Sequence, residues 1–277
     1  MKNYLHSLKN VTAAYASKRP LDFENTNYYL ARWPSIIITP LFLKLKIGAN
    51  TVTWLSFLVG MLAIGCLATP NLEAQVIAFA LLYIAFLLDN VDGNIARTHR
   101  LTNHYGKFID GSLGLTYGSL KLLAIGVALG HGEHAKVLSL PPSLHVSIGG
   151  AGTAAVLLQS YISLRFNSAK LSLNQQRANE TKADKDIAKE YLDSVSGVSK
   201  CLGLSIYNRL ESMVFRAWST IHRVFSEMEW PILLPAIFLG LDIYLIIYCT
   251  VKLINLFVSY ISVLKNARTD LTYFRTH

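Results

Sequence analysis

Residues 87–114 read LLDNVDGNIARTHRLTNHYGKFIDGSLG, and the acids in this stretch decide how the rest of the chain is read. Asp89 and Asp92 lie near the end of one apolar run, 73–96, and Asp110 lies just inside the next, 108–130. A charged side chain at the centre of a membrane helix costs ~3 kcal/mol or more and is by default a functional residue; here three fall in one hairpin. Positions i and i+3 share a helix face, so Asp89 and Asp92 point together toward a facing helix that brings Asp110. Three oxygen donors at one place suit a hard divalent cation, Mg²⁺ or Mn²⁺, with no His or Cys required. Gly93 lets a ligand approach the backbone closely, and Arg97, one turn on, can meet a phosphate.

Outward from this hairpin, apolar stretches at 51–69, 73–96, 108–130 and 142–164 each approach the ~20 residues that cross a bilayer core as a helix. A further stretch, 229–265, is too long for one crossing at ~1.5 Å per residue, and reads as two spans turning near Gly240 to Asp242. Lys and Arg concentrate before residue 50, at 97–107, at 165–228 and after 264. An even number of spans places all four segments on the cytoplasmic side, with both termini and the acidic hairpin. The expected fold is therefore all-α, a polytopic membrane helical bundle of about six transmembrane helices. The composition agrees, with 52% hydrophobic and 16% charged residues and a mean hydropathy of +0.35, against ~25% charged residues in a soluble domain. The +9 net charge has the sign of a nucleic-acid binder, but such a protein does not hold several long apolar runs. The anionic partners expected are membrane lipids and phosphorylated substrates, with no nucleic acid. Cys66, Cys201 and Cys249 are far apart and odd in number, so no disulfide framework or metal cluster is expected from them.

Four regions follow. Residues 1–50 form an interfacial N-terminal segment, in which Arg32, Trp33, Pro34 and Pro40 around a short apolar run suit a helix lying along the membrane surface. Residues 51–165 form a four-helix membrane core. Residues 166–228 form a cytoplasmic insertion, polar in its first half. In its second half Ile206, Leu210, Met213, Val214, Ala217, Ile221, Val224 and Phe225 recur at helical spacing, which reads as an interfacial amphipathic helix. Residues 229–277 form a last membrane hairpin and a basic tail.

The motif resembles that of the CDP-alcohol phosphotransferases, D-x2-D-G-x2-A-R followed after eight residues by G-x3-D-x3-D. Asp89, Asp92, Gly93, Ala96, Arg97, Gly106 and Asp110 stand at those spacings. Upstream, KIGANTVTW (46–54) is similar to the family's P-N-x2-T element, with Ala49 in place of the proline and Asn50 and Thr53 kept. The resemblance implies an integral membrane transferase of lipid biosynthesis that displaces CMP from a CDP-linked donor, such as CDP-diacylglycerol, with an acceptor hydroxyl. It implies that Asp89, Asp92 and Asp110 hold the metal ions, and that Gly93, Ala96 and Arg97, with Asn50 and Thr53, line the donor pocket. At the last motif position, where the family has an aspartate thought to ligate metal and serve as general base, this chain has Gly114. Asp110 and His104 are the expected catalytic residues; activity without the last aspartate then needs another group in its place, such as His104 or a metal-bound hydroxide, or an acceptor that is already anionic. The rival expectation is a non-catalytic relative that binds a CDP-lipid or metal and acts through a protein partner.

Several other residues carry weaker signals. His99 lies between the motif halves, Arg165 and Lys170 are placed to meet an acceptor phosphate, and Lys121 sits deep in an apolar helix. Asp242 falls in the far turn, away from the motif. Gly106, Asp110, Gly114 and Gly118 form a stripe at four-residue intervals that lets another helix pack closely, and the small-residue run Gly149 to Ala155 forms a helix-packing face, which together with the family resemblance implies a homodimer.

Overall fold

The computed structural model describes residues 2–15, 28–99, 104–132, 136–178 and 202–270, and the described residues are helical throughout, with no strand. In order they form α1 (Lys2–Tyr15), a π-helical turn (Tyr28–Arg32), α2 (Trp33–Lys44), α3 (Ala49–Leu67), α4 (Leu72–Thr98), α5 (His104–His131), α6 (Pro142–Ala178), α7 (Leu202–Leu239) and α8 (Leu241–Asp270). The chain divides into two compact units, Met1–Ala154 with Ser226–Thr250, and Ala155–Phe225 with Val251–His277.

The first unit contains the motif. Its α3 packs along both α4 and α5, while α1, α2 and the π-helical turn pack on α4. The buried face of α3 runs through Val52, Thr53, Ser56, Gly60, Ala63 and Leu67, a periodicity of three to four that keeps one stripe toward its neighbours. Asn71 caps α4 by accepting the Glu73 N–H at 2.8 Å, which satisfies a backbone donor left over at the helix start. The link from α2 to α3 is a tight turn in which Lys46 takes a left-handed conformation, φ 56°, so that its N–H and that of Ile47 close on the Leu43 and Phe42 carbonyls at 3.1 Å each. The N-terminal helix α1 docks on α2 through Val11, Tyr15 and Ile36, and Tyr4 donates to the Ile37 carbonyl at 2.8 Å.

The second unit holds the outer parts of α6, α7 and α8. Within it Trp218 Nε1 donates to Asn255 Oδ1 at 3.3 Å. Residues 179–201, including Cys201 and much of the polar half of the expected insertion, lie outside the described residues, as do the side chains of 202–215.

Four described helical segments are long and apolar enough to cross a membrane: Ala49–Leu67, Leu72–Thr98, Tyr105–His131 and Leu241–Leu264. The expected count of six is not reached. In α6 the apolarity is diluted by Gly149, Gly150, Gly152, Thr153, Gln159 and Ser160. In α7 the apolar part begins only near residue 229 and ends at Leu239, about 16 Å of helix. The amphipathic segment thus runs into the apolar one as a single helix. The turn expected near Gly240 is present, since α7 ends at Leu239 and α8 starts at Leu241. Two glycines of the small-residue run on α6 are occupied within the chain. A Cβ on Gly149 would meet the Leu122 carbonyl oxygen at 2.5 Å, and one on Gly152 the Cys249 sulfur at 2.4 Å. One side of the run therefore packs against α5 and α8, while a Cβ on Gly150 would meet nothing within 4 Å and Ala151 and Ala154 are exposed.

Candidate functional site

Thr53, Asp89, Asp92 and Asp110 come from three helices and meet because the buried stripe of α3 is polar where it faces α4. Thr53 Oγ1 donates to Asp92 Oδ2 at 2.6 Å, and one turn later Ser56 donates to the Ala85 carbonyl at 2.8 Å. Two bonds on one face of α3 fix its register on α4. The sequence placed Thr53 with the carboxylates by resemblance, and the fold brings it there.

From α5, the Asp110 carboxyl comes within hydrogen-bond reach of Asp89, and its charge also acts on Asp92. The expectation that Asp110 faces the pair on α4 is met in that sense. Like charges so close repel unless a proton or a cation stands between them. Tyr117, two turns after Asp110, packs its ring against α3 at Gly60, near Ser56. Its ring lies where a Cβ on Gly60 would come within 2.8 Å, so Gly60 makes room for it.

The donor chemistry of the three carboxylates fits a hard cation. As folded, however, the described residues contain no group of three or more His, Cys, Asp or Glu side chains arranged to hold a metal. Asp92 is tied to Thr53, and the facing pair is Asp89 with Asp110.

Around the carboxylates, Arg97 folds back over Gly93. A Cβ there would meet the guanidinium nitrogens at 3.1 and 3.2 Å, so a side chain at this position would push the guanidinium aside by a few tenths of an ångström. Arg97 Nη2 donates to Asn94 Oδ1 at 2.7 Å, and its charge acts on Asp92. Ala96 is half-buried one residue before it, and Asn50 is exposed in the first turn of α3. His99 caps the end of α4 through its backbone N–H to the Ile95 carbonyl at 3.1 Å. His104 opens α5, and its side chain lies outside the described residues. Gly114 faces the cluster: a Cβ there would lie 3.8 Å from Asp89 Oδ1, ordinary contact distance. A side chain at this position would therefore stand beside the carboxylates.

Sequence reasoning missed Arg32 and Asn94 as members of the site. Arg32 comes from the π-helical turn, and its charge acts on Asp89. Its separation from the motif in sequence hid it. Asn94 occupies a variable position of the motif, but its burial (2% exposed) is a property of the fold. Two residues singled out in the sequence belong elsewhere. Lys121 forms an ion pair with Glu229 and does not reach for lipid. Asp242, in the first turn of α8, accepts the N–H groups of Val137, Leu138 and Ile243 at 2.9, 2.6 and 2.9 Å, so it anchors the loop between α5 and α6 to α8.

Residues 46–168 match the family described as CDP-alcohol phosphatidyltransferase. The match covers the KIGANTVTW element, both halves of the motif and the helices that carry them, so the resemblance read from the motif holds over that stretch. No curated protein and no solved structure matches the chain.

Proposed function

We propose that this chain, which matches the CDP-alcohol phosphatidyltransferase family over residues 46–168, is an integral membrane transferase of phospholipid synthesis that moves the phosphoryl-linked group of a CDP-linked donor onto an acceptor alcohol. The observation that carries the reading is the approach of Asp89 and Asp110 across the α4–α5 hairpin, with Asp92 held alongside by Thr53. A buried group of like charges costs stability, and a phosphoryl-transfer site gives that cost a use.

In this reading the acceptor oxygen attacks the phosphorus distal to cytidine, the bond from that phosphorus to the bridging oxygen breaks, and CMP leaves with the bond's electron pair. A divalent cation held by Asp89 and Asp110, joined by Asp92, would supply charge neutralisation at the two phosphates. Arg97 binds a phosphate oxygen, and Gly93 keeps the approach open. The acceptor's proton passes to a carboxylate of the group, for which we assign Asp110, one turn before Gly114. Asn50 and Ala96 border the donor, and the site opens to the cytoplasm by the distribution of Lys and Arg.

Gly114 supports a second reading. Since a side chain there would stand beside Asp89, its absence removes a carboxylate from the cluster itself, as in a relative that binds a CDP-lipid without turning it over. A positioned general base contributes ~10²–10⁴-fold, so Gly114→Asp is expected to raise CMP release with neutral alcohols at least tenfold over the unaltered chain. The test gives purified protein CDP-diacylglycerol and a panel of acceptors, follows CMP, and identifies lipid products by mass spectrometry. A new phospholipid from the unaltered chain supports the enzyme. CMP release from Gly114→Asp alone replaces it with the binding protein.

A further inference from the structure

The motif accounts for α3, α4 and α5, yet the fold also fastens the segment before α3 to the motif helix. Tyr83 on α4 donates to the Leu30 carbonyl at 2.7 Å. Asn94, inside the motif, donates from Nδ2 to Ser35 Oγ at 3.1 Å and to Thr39 Oγ1 at 3.3 Å, while its Oδ1 accepts from Arg97. Ser35 Oγ in turn donates to the Arg32 carbonyl at 2.8 Å. A continuous hydrogen-bonded chain therefore runs from the motif arginine through Asn94 and Ser35 to the backbone of Arg32.

Ser35, Thr39 and Asn94 are buried, where a polar chain is tolerated only if its members are satisfied. The Arg32 backbone belongs to a π-helical turn, a rare form that is frequent at functional sites. The charge of Arg32 acts on Asp89 as that of Arg97 acts on Asp92. Each carboxylate of α4 thus feels the charge of an arginine, Asp92 that of one from the motif and Asp89 that of one from outside it.

We propose that Arg32 is a second phosphate-binding arginine of this site, held in register with Arg97 by the Asn94–Ser35 chain. The inference rests on the function proposed above. Three carboxylates against Arg97 alone would repel a phosphate-bearing substrate, and a second guanidinium lowers that repulsion while offering paired donors that match phosphate oxygens. The phosphate received is that of the CDP-donor or that of a phosphorylated acceptor.

The test uses the full chain in detergent and its Arg32→Gln and Arg32→Lys variants. It measures binding of cytidine and CDP, and the KM for glycerol and for glycerol 3-phosphate in CMP release from CDP-diacylglycerol. Arg32→Gln is expected to weaken CDP binding at least tenfold while leaving cytidine within twofold, and Arg32→Lys to recover part of the loss by keeping the charge. If CDP binding holds and only the KM for glycerol 3-phosphate rises, the phosphate is the acceptor's and the proposal stands. It is overturned if Arg32→Gln matches the unaltered chain in every arm, or if cytidine and CDP weaken alike in both variants, which marks structural damage. An unaltered chain that binds neither cytidine nor CDP overturns the function itself, a result distinct from a failure of Arg32 alone.

Discussion

In the first turns of α5, Asp110 faces Asp89 across the hairpin with Asp92 beside them; three turns further along the same helix, Lys121 meets Glu229 of α7. Asp242 of α8 in turn accepts three backbone N–H groups. At Lys121 and Asp242 each buried charge has an opposite charge or a set of oriented donors, and the result is structural. At the motif, like charges are gathered and only partly offset by Arg32, Arg97 and Thr53. A helix bundle that can satisfy charge in one place and leaves it in excess in another reserves the second place for something that binds there.

The comparison can be broken at either end, and the largest effect is expected at the structural one. Lys121→Met removes the cation that pairs with half-buried Glu229, and removing one partner of a buried pair costs ~3–5 kcal/mol, the upper bound for this partly exposed one. Thermal unfolding in detergent should show a marked fall in Tm, largely recovered in Lys121→Met/Glu229→Gln, where no charge is stranded. A single variant with unchanged Tm would mean that the pair does not hold α5 to α7. At the motif the sign reverses. Asp110→Asn relieves the repulsion on Asp89, so Tm should hold or rise, while CMP release falls at least 100-fold, ~2.7 kcal/mol of barrier at ~1.36 kcal/mol per decade. A variant that loses stability and activity together would place Asp110 with the structural charges.

The smallest effect is expected at Thr53. Thr53→Val keeps the shape of the side chain and removes its bond to Asp92, for which ~1.5–3 kcal/mol is the range of a hydrogen bond to a charged group. Because Asp92 is then freer to turn toward the other carboxylates, Tm should fall by a few degrees while metal-dependent CDP binding changes less than threefold. Binding lost as fully as in Asp110→Asn would make Thr53 a direct part of the donor pocket.

These contrasts also mark what the sequence can and cannot disclose. The acids were legible because helical spacing places Asp89 and Asp92 on one face, and because charge is rare in apolar runs. The turn at Gly240 was legible from the length of the stretch alone. The partner of Lys121 was not, since Glu229 lies 108 residues away at the edge of a segment that reads as amphipathic. Nor was the Arg97–Asn94–Ser35 chain, because Asn94 fills a variable position of the motif and Ser35 lies 59 residues before it on α2. The count of six spans is not confirmed among the described residues, where four segments are long and apolar enough; on α6 the close approach of Gly149 to Leu122 needs the small residues that dilute its apolarity.

The claim that the carboxylate group is a metal-dependent phosphoryl-transfer site is tested most directly by following CMP from CDP-diacylglycerol with the purified chain, with Mg²⁺, with Mn²⁺ and with chelator. The account predicts CMP release that requires the divalent ion and is lost in Asp89→Asn and Asp110→Asn, both folded by thermal unfolding. Release that persists in chelator, or that survives both substitutions, would contradict it.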